Sequence, residues 1–213
     1  PQDHLSVFFG ILNRKTFERI VGRKLSQDKL AERMAMLGTD VNEINENEII
    51  VEVFPDRPDL LSEQGFARAF ATFIEAEKGL KKYNAKKSSY KVIVDESVKE
   101  VRPFTVCCVV KSLKLDDEKI REIIQIQEKL HITYGRNRQK AAIGIYPLEK
   151  IKWPITYLAK KPSDIFFKPL GSKFPMNAKD ILLKNPAGIK YKSLLDNYKR
   201  YPVFVDSDNR ILS

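Results

Sequence analysis

The side chains best placed to do chemistry begin with a glutamine and two arginines in the second half of the chain. Gln127 falls on the apolar stripe of a predicted helix, where an amide must find hydrogen-bond partners. Either the backbone satisfies that amide, or it faces a ligand pocket. Arg136 and Arg138 follow the end of the same helix, and guanidinium groups suit phosphates and base faces. The alternative is that both are solvated loop arginines.

A third candidate region runs from Tyr201 to Ser213 and has the pattern strand, Asx-rich turn, strand. Phe204 and Ser213 could line one cavity from neighbouring strands, or Phe204 could belong to an ordinary sheet core. The second apolar run begins at Ile211 and reaches the last residue. We therefore expect the second domain to be incomplete at its C-terminus.

Several kinds of chemistry have no signature in the sequence. It contains no P-loop, no G-x-G-x-x-G, no C-x-x-C and no H-E-x-x-H pattern, and its two histidines exclude a multi-histidine metal site. We expect a structural role for His131, which falls on the predicted helix. Cys107 and Cys108 are adjacent and lie in the apolar run Thr105–Val110, which predicts a strand with two buried thiols. Such thiols are typical of a reducing compartment and predict a cytoplasmic protein.

Charge divides the chain into two parts. Charged residues make up 31% of the 213 residues, and no apolar run is long enough to span a bilayer. The net charge is +10, but residues 1–80 carry 10 Lys/Arg against 14 Asp/Glu, and residues 81–213 carry 28 against 14. The basic excess belongs to the second part and favours a polyanion such as RNA as its partner. The alternative is a lysine-rich surface that serves only solubility.

Local patterns predict an α+β fold with a small N-terminal α+β domain at residues 1–84 and a larger mixed α/β domain at 90–213. The first domain has a helix after Ser26, a strand over Glu48–Phe54 and a helix from Ser62 to Gly79. Residues 81–89 are a basic linker. The second domain is predicted to contain strands at Tyr90–Asp95, Thr105–Val110, Ala141–Tyr146, Ile155–Ala159 and Tyr201–Asp206, with helices at Asp116–Gly135, Ala178–Leu183 and Lys192–Tyr198.

Several blocks in sequential order carry a family resemblance. They are Arg57-Pro58-Asp59-Leu60-Leu61-Ser62 with Gly65 and Ala67-Arg68, Arg102-Pro103-Phe104, Ile126–His131 with Gly135-Arg136-x-Arg138, Ala142–Ile145, Lys160–Ile165 with Lys168-Pro169-Leu170, and Tyr201-Pro202 with Asp206-Ser207 and Ile211–Ser213. Together they resemble the N-terminal part of the beta subunit of archaeal and eukaryotic phenylalanyl-tRNA synthetases, in which the first block reads N-R-P-D-L-x-S-x-x-G-x-A-R. Asp56 stands where that family usually has Asn.

The resemblance implies a function that local patterns do not show. It implies a heterotetramer of two alpha and two beta subunits that joins phenylalanine to tRNA(Phe) with ATP and Mg²⁺. The alpha subunit performs that reaction, so the resemblance implies no cofactor for this segment. The editing domain of the beta subunit hydrolyses tyrosine mischarged onto tRNA(Phe). By position the resemblance assigns Gln127 and Ser213 to catalysis and Arg138 and Phe204 to pocket binding, with Arg136 near the tRNA end.

Two other functions stay open on the sequence. The basic second part and the abrupt end of the chain are compatible with a non-catalytic tRNA-binding or subunit-assembly module. A stand-alone trans-editing deacylase is also compatible with the ordered blocks. Neither alternative involves a membrane or DNA.

Overall fold

The computed structural model describes residues 8–54 and 56–212, which form two compact units. The first unit contains the chain up to Asn84 together with Lys114–Ile143, and the second contains Ala85–Leu113 together with the chain from Gly144 onward. The break between residues 84 and 85 coincides with the predicted domain boundary. Residues 114–143, in contrast, group with the first unit, whereas the sequence placed them in the second domain.

Helices and short strands alternate in the first unit, and the second adds a mixed sheet, which confirms the predicted α+β class. The elements are β1 (Phe8–Asn13), α1 (Arg14–Val21), α2 (Gln27–Met36), β2 (Asp40–Ile44), β3 (Glu48–Val53), α3 (Glu63–Phe73), β4 (Val92–Val94), α4 (Asp117–Ile132), β5 (Ile155–Lys160), β6 (Phe166–Phe167), β7 (Met176–Asn177), α5 (Ala178–Lys184), α6 (Pro186–Tyr191) and β8 (Tyr201–Val205). No helix among the described residues is long and apolar enough to cross a membrane.

The first unit is built on a three-stranded antiparallel sheet with the order β1-β3-β2. Alternate residues of β3 are buried, as the period of two in a strand requires when one face of the sheet is covered. The helices supply aromatic side chains to the same core, where the ring of Phe17 lies 6.1 Å from that of Phe66 and 5.4 Å from that of Phe70. One continuous cluster of buried side chains results.

A tight turn between β3 and α3 depends on a glycine. Ser62 caps α3 by accepting a hydrogen bond from the backbone N–H of Gly65 at 3.1 Å. A Cβ atom on Gly65 would lie 1.9 Å from the carbonyl oxygen of Asp59, so only glycine allows the chain to pass here. Arg57 donates two hydrogen bonds to the carboxylate of Asp59, at 3.0 and 2.8 Å. The conspicuous sequence block at 57–65 is thus a local structural unit.

The second unit is built on a three-stranded sheet with the order β4-β5-β8, in which β5 is parallel to β4 and antiparallel to β8. Residues of β5 and β8 alternate between two small buried clusters. One cluster contains Tyr157 and Ala159 with Val98, and the other contains Val203 and Val205 with Ile165 and Ala178. The unit therefore has two thin cores on opposite faces of its sheet.

Two predicted strands are wrong. Residues 105–110 and 141–146 are not strands in the structure. A strand exists only where a neighbouring chain completes its backbone hydrogen bonds, and neither segment belongs to a described sheet. Cys107 and Cys108 are consequently exposed free thiols rather than buried ones. The apolar run that predicted burial leaves Val106 97% exposed.

Boundaries of the remaining elements shift by a few residues. α3 ends at Phe73 rather than near Gly79. The helix predicted at Lys192–Tyr198 lies earlier, because Pro186 begins α6 and Asn185 caps it by accepting hydrogen bonds from the backbone N–H groups of Ala187 and Gly188. β1 and α1 had no sequence prediction, since β1 is a short strand and α1 begins directly after it, with Asn13 as its N-cap.

Candidate functional site

Helix α4 carries the first group of predicted site residues. Asp116 caps it by accepting a hydrogen bond from the N–H of Lys119 at 2.9 Å. The negative charges of Asp117 and Glu118 in the first turn interact favourably with the positive end of the helix dipole. Gln127 and His131 are four residues apart and therefore lie on one face of the helix. Gly135 is buried after the helix end, where a Cβ atom would lie 2.6 Å from the carbonyl oxygen of Ala141.

That face of α4 binds the main chain of Ile143. The side-chain amide of Gln127 donates to the carbonyl oxygen of Ile143, and the N–H of Ile143 donates to Nε2 of His131 at 2.7 Å. Two side chains thus satisfy both backbone groups of a residue that the sequence expected in a strand. The sequence left open whether the backbone satisfies the Gln127 amide or the amide faces a ligand pocket. In this structure the backbone satisfies its Nε2 atom. Its assignment to a ligand pocket stays a prediction.

Glu128 connects the helix to the arginine loop. The Nδ1 atom of His131 lies 3.3 Å from the carboxylate of Glu128. Because Nε2 of His131 accepts the hydrogen bond from Ile143, the proton of the neutral ring is on Nδ1. The guanidinium of Arg138 forms an ion pair with the same carboxylate. Burial alone would raise the pKa of Glu128, but the hydrogen bonds from Arg138 and His131 lower it below its ordinary value overall.

The loop after α4 fixes the two arginines in different environments. Arg136, Asn137 and Arg138 all have positive φ angles, of 48°, 53° and 68°. Such angles are unfavourable for residues with a Cβ atom, and the hydrogen bond from the N–H of Arg138 to the carbonyl oxygen of His131, at 3.1 Å, helps to offset the cost. Arg138 is half-buried against Glu128, whereas Arg136 is exposed. Arg136 is thus the better placed of the two to reach a phosphate.

Phe204 belongs to the second unit, on β8, directly opposite Tyr157 on β5. The two rings stack with centroids 4.6 Å apart and an interplanar angle of 23°. The Tyr157 hydroxyl donates to the carbonyl oxygen of Arg102 at 2.9 Å, and burial raises the pKa of that hydroxyl. Phe204 is half-buried, so it contributes to the sheet core and keeps part of its surface accessible.

The turn after β8 is held by one buried carboxylate. Asp206 accepts hydrogen bonds from the backbone N–H groups of Asp208 and Arg210, at 3.0 and 2.9 Å, and from the Arg210 guanidinium at 3.0 and 2.7 Å. This turn directs the chain back so that Ile211 pairs with Val205. Ser213, the other residue assigned to catalysis, lies outside the described residues.

The structure therefore groups Gln127, Arg136 and Arg138 around α4 and places Phe204 in the second unit. Sequence reasoning missed Glu128, the residue through which α4 holds Arg138. Its three-residue spacing from His131, on a helix ending in two arginines, was a usable signal. Among residues 8–54 and 56–212, no group of three or more His, Cys, Asp or Glu side chains is arranged to hold a metal ion.

The two units of the structure also differ in charge. The first unit contains 19 Lys/Arg and 19 Asp/Glu, and the second contains 19 Lys/Arg and 9 Asp/Glu. The whole net charge of +10 therefore belongs to the second unit. A unit of this charge attracts polyanions over distances of about a Debye length, roughly 8–10 Å at physiological salt.

Comparison with known proteins gives relatives of one kind, although no family model matches the chain. The chain is 42% identical over 196 residues to the phenylalanine–tRNA ligase beta subunit of Archaeoglobus fulgidus, covering 92% of this chain and 35% of that protein. It is 37% identical over 197 residues to the beta subunit of Methanosphaera stadtmanae, with the same coverage of 92% and 35%. The chain thus spans about a third of the length of the curated relatives it matches.

A solved structure agrees with the sequence comparison. An N-terminal fragment of the phenylalanyl-tRNA synthetase beta subunit from Pyrococcus horikoshii matches with a TM-score of 0.85 and 34% identity, covering 97% of this chain and 60% of that one. Fold and sequence therefore point to the same part of the same kind of protein. Over 92% of its length, the chain is similar to phenylalanine–tRNA ligase beta subunits.

Proposed function

We propose that this chain is the N-terminal part of the beta subunit of a cytoplasmic phenylalanine–tRNA ligase and contributes to hydrolysis of tyrosine mischarged onto tRNA(Phe). The observation that carries the proposal is the similarity to beta subunits over nearly the whole chain, in sequence and in fold. The partners of the complete protein are then the alpha subunit, in an assembly of two copies of each, and tRNA(Phe).

Editing has a physical reason in such an enzyme. An apolar pocket made for phenylalanine rejects an added hydroxyl only weakly, by about a hundredfold. A second pocket with a hydrogen-bond acceptor can select the hydroxyl of tyrosine instead. We assign the side-chain carbonyl oxygen of Gln127 as such an acceptor, because its amide nitrogen already donates to Ile143 and fixes the side chain. The ester to be cut is activated, so a positioned water and a few polar groups suffice.

The arginine loop has a separate role in this proposal. The ion pair with Glu128 makes Arg138 a positioning residue for the loop. Exposed Arg136 contacts a phosphate near the tRNA end. Phe204 and Ser213 retain, as predictions, the pocket and catalytic assignments that the family resemblance gives them.

ATP and Mg²⁺ belong to the aminoacylation reaction of the whole enzyme. The sequence contains no phosphate-binding glycine loop, and no group of His, Cys, Asp or Glu side chains among the described residues is arranged to hold a metal ion. As the family resemblance implies, we place aminoacylation in the alpha subunit.

Deacylation of tyrosyl-tRNA(Phe) by the full-length beta subunit in complex with its alpha subunit tests the editing role. We expect Gln127→Ala to slow hydrolysis by about 5- to 150-fold while leaving phenylalanine activation unchanged, since one lost hydrogen bond to the reacting complex is worth about 1–3 kcal/mol. Gln125→Ala is the matched control, because Gln125 is an exposed glutamine on the same helix. Equal hydrolysis by both variants would remove Gln127 from the pocket.

A non-catalytic tRNA-binding or assembly role is the second candidate, and the net charge of the second unit favours it. It predicts salt-sensitive binding of tRNA with no deacylation by the full-length enzyme. Absence of tyrosyl-tRNA(Phe) hydrolysis in the unmodified enzyme, together with intact tRNA binding, would favour this role over editing.

A further inference from the structure

The hairpin formed by β6 and β7 exposes large apolar side chains on the basic second unit. Phe166 is 63% exposed, Leu170 is 99% exposed and Phe174 is 74% exposed. Exposed lysines, Lys168 and Lys173, alternate with them. None of the three apolar side chains contributes to the two small cores of the unit, and a cluster of exposed apolar side chains is typical of a binding surface.

The base of this hairpin is held in place. Phe166 pairs with Asn177 and Phe167 with Met176. The N–H of Ala178 donates to the carbonyl oxygen of Ile165 at 3.0 Å, and both of these residues are buried in the core that includes Val203. The apolar side chains therefore extend from a fixed base rather than from a free segment.

The tip of the hairpin is also fixed. The N–H of Ser172 donates to the carbonyl oxygen of Pro169 at 3.0 Å, and Gly171 has a φ of 78°, which together make a tight turn that requires glycine. The buried side chain of Asn185, which caps α6, donates to the Ser172 hydroxyl at 3.3 Å. A loop ordered before binding loses less conformational entropy when a partner arrives.

Charge indicates the class of partner. Residues 160–179 contain five lysines and one acidic residue, Asp164, and they lie in the unit that carries all of the net charge of +10. Protein–protein interfaces are enriched in aromatic residues but depleted in lysine. Surfaces that bind single-stranded nucleic acid combine both, since aromatic rings stack on bases and basic side chains follow the phosphates.

We propose that the β6–β7 hairpin is a binding site for unpaired nucleotides of RNA. Phe166 and Phe174 stack on bases, and Lys168 and Lys173 contact the neighbouring phosphates. The identification of that RNA as tRNA(Phe) rests on the proposed function, whereas recognition of unpaired nucleotides rests on the hairpin alone.

RNA affinity of the full-length beta subunit in complex with its alpha subunit tests the site, with a labelled tRNA(Phe) transcript and a labelled uridine dodecamer as separate probes. We expect the double variant Phe166→Ala/Phe174→Ala to bind both probes about thirtyfold or more weakly, because two base–aromatic stacks are lost. The salt dependence should stay unchanged, since no charge is removed. Ile93→Ala, at another exposed apolar side chain of the unit, is the control.

The lysines give an independent readout. The double variant Lys168→Gln/Lys173→Gln should reduce the magnitude of the slope of log affinity against log salt concentration for the dodecamer by about 1.4. Each phosphate contact with a single strand contributes about 0.7 to that slope, and two contacts are lost. Lys86→Gln/Lys87→Gln, at two exposed lysines of the same unit, is the matched control and should leave the slope unchanged. Far-ultraviolet circular dichroism of each complex verifies that each variant is folded.

The possible results separate this site from the editing role. Loss of dodecamer binding in the hairpin variants of an enzyme that does not deacylate tyrosyl-tRNA(Phe) supports the site and contradicts editing. Unchanged affinity for both probes in both double variants overturns the site, whatever the deacylation result. Unchanged RNA affinity with a destabilised complex of the two subunits also overturns it and assigns the hairpin to a protein contact.

Discussion

The two units of this chain differ in charge and in packing. The first is neutral and has one continuous core, in which Met34, Ile49, Phe66 and Phe70 are inaccessible to solvent. The second carries a net charge of +10 and divides its buried side chains between two thin clusters. Apolar burial stabilises a fold in proportion to the area removed from water, whereas like charges repel one another. The first unit is therefore suited to act as a stable scaffold, and the second is suited to present a positively charged surface.

Core truncation should give the largest difference between the units. Phe70→Ala in the first unit should lower the free energy of unfolding by about 4 kcal/mol, and Val203→Ala in the second by about 2 kcal/mol, because fewer atoms and a smaller cavity are involved. Trp153 lies in the second unit, so its fluorescence should follow only the Val203 variant, while far-ultraviolet circular dichroism follows both. Equal shifts of the Trp153 transition in both variants would mean that the units unfold as one.

A matched pair of glycines tests how well each unit adapts to an added methyl group. A Cβ atom at Gly65 would lie 1.9 Å from the carbonyl oxygen of Asp59, and one at Gly188 would lie 1.9 Å from that of Ile181. We expect Gly65→Ala to destabilise the protein by about 3 kcal/mol and Gly188→Ala by about 1 kcal/mol, because α5 and α6 lie at a less densely packed surface. In Gly10→Ala the nearest atom would be 3.4 Å away, so denaturant unfolding of this control should match the parent.

The Asp206 carboxylate gives the second unit a pH dependence. Burial alone would raise its pKa, but hydrogen bonds from Arg210 and Lys152 lower it below the ordinary value overall. A lowered folded-state pKa stabilises the fold above the unfolded-state value near 4, and this stability is lost as pH falls through the folded value. Asp206→Asn should cost about 2 kcal/mol at pH 7, from lost charge-assisted hydrogen bonds.

The measurement for Asp206 is thermal unfolding monitored at Trp153 between pH 2 and pH 7. The difference between Asp206→Asn and the parent should shrink as the pH falls below about 4. A constant difference over this range would show that the carboxylate charge is not the cause. Asp208→Asn is the control, because Asp208 lies in the same turn and is exposed.

The smallest expected effect is a gain in stability in the first unit. Burial raises the pKa of Glu63, the nearby Glu122 adds to the rise, and one carboxylate oxygen is buried without a partner among the described residues. Ionisation therefore opposes folding at neutral pH. Glu63→Gln should raise the free energy of unfolding by less than about 1 kcal/mol at pH 7, with no gain below the unfolded-state pKa near 4.3. The control Glu75→Gln changes an exposed ion pair with Lys78 and should be neutral.

Local signals in the sequence predicted much of the fold. Ser62 at the start of α3, Asp116 at the start of α4 and the alternation in β3 each depend on residues close in sequence. The prediction failed at 105–110 and 141–146, where an apolar run suggested a strand but no described strand pairs with either segment. For Gln127, the sequence predicted that the side chain needs a hydrogen-bond partner, but it could not identify that partner as Ile143.

The sequence by itself determined the α+β class, the charge asymmetry and the resemblance to phenylalanine–tRNA ligase beta subunits, because composition and ordered motifs do not depend on long-range contacts. Only the tertiary structure decided that residues 114–143 join the first unit, that Glu128 holds Arg138, and that Cys107 and Cys108 are exposed. It also decided that the hairpin after Ile165 exposes its aromatic side chains. These features depend on contacts between segments that are distant in sequence. Such contacts are set by the packing of the whole chain rather than by the local propensities of each segment.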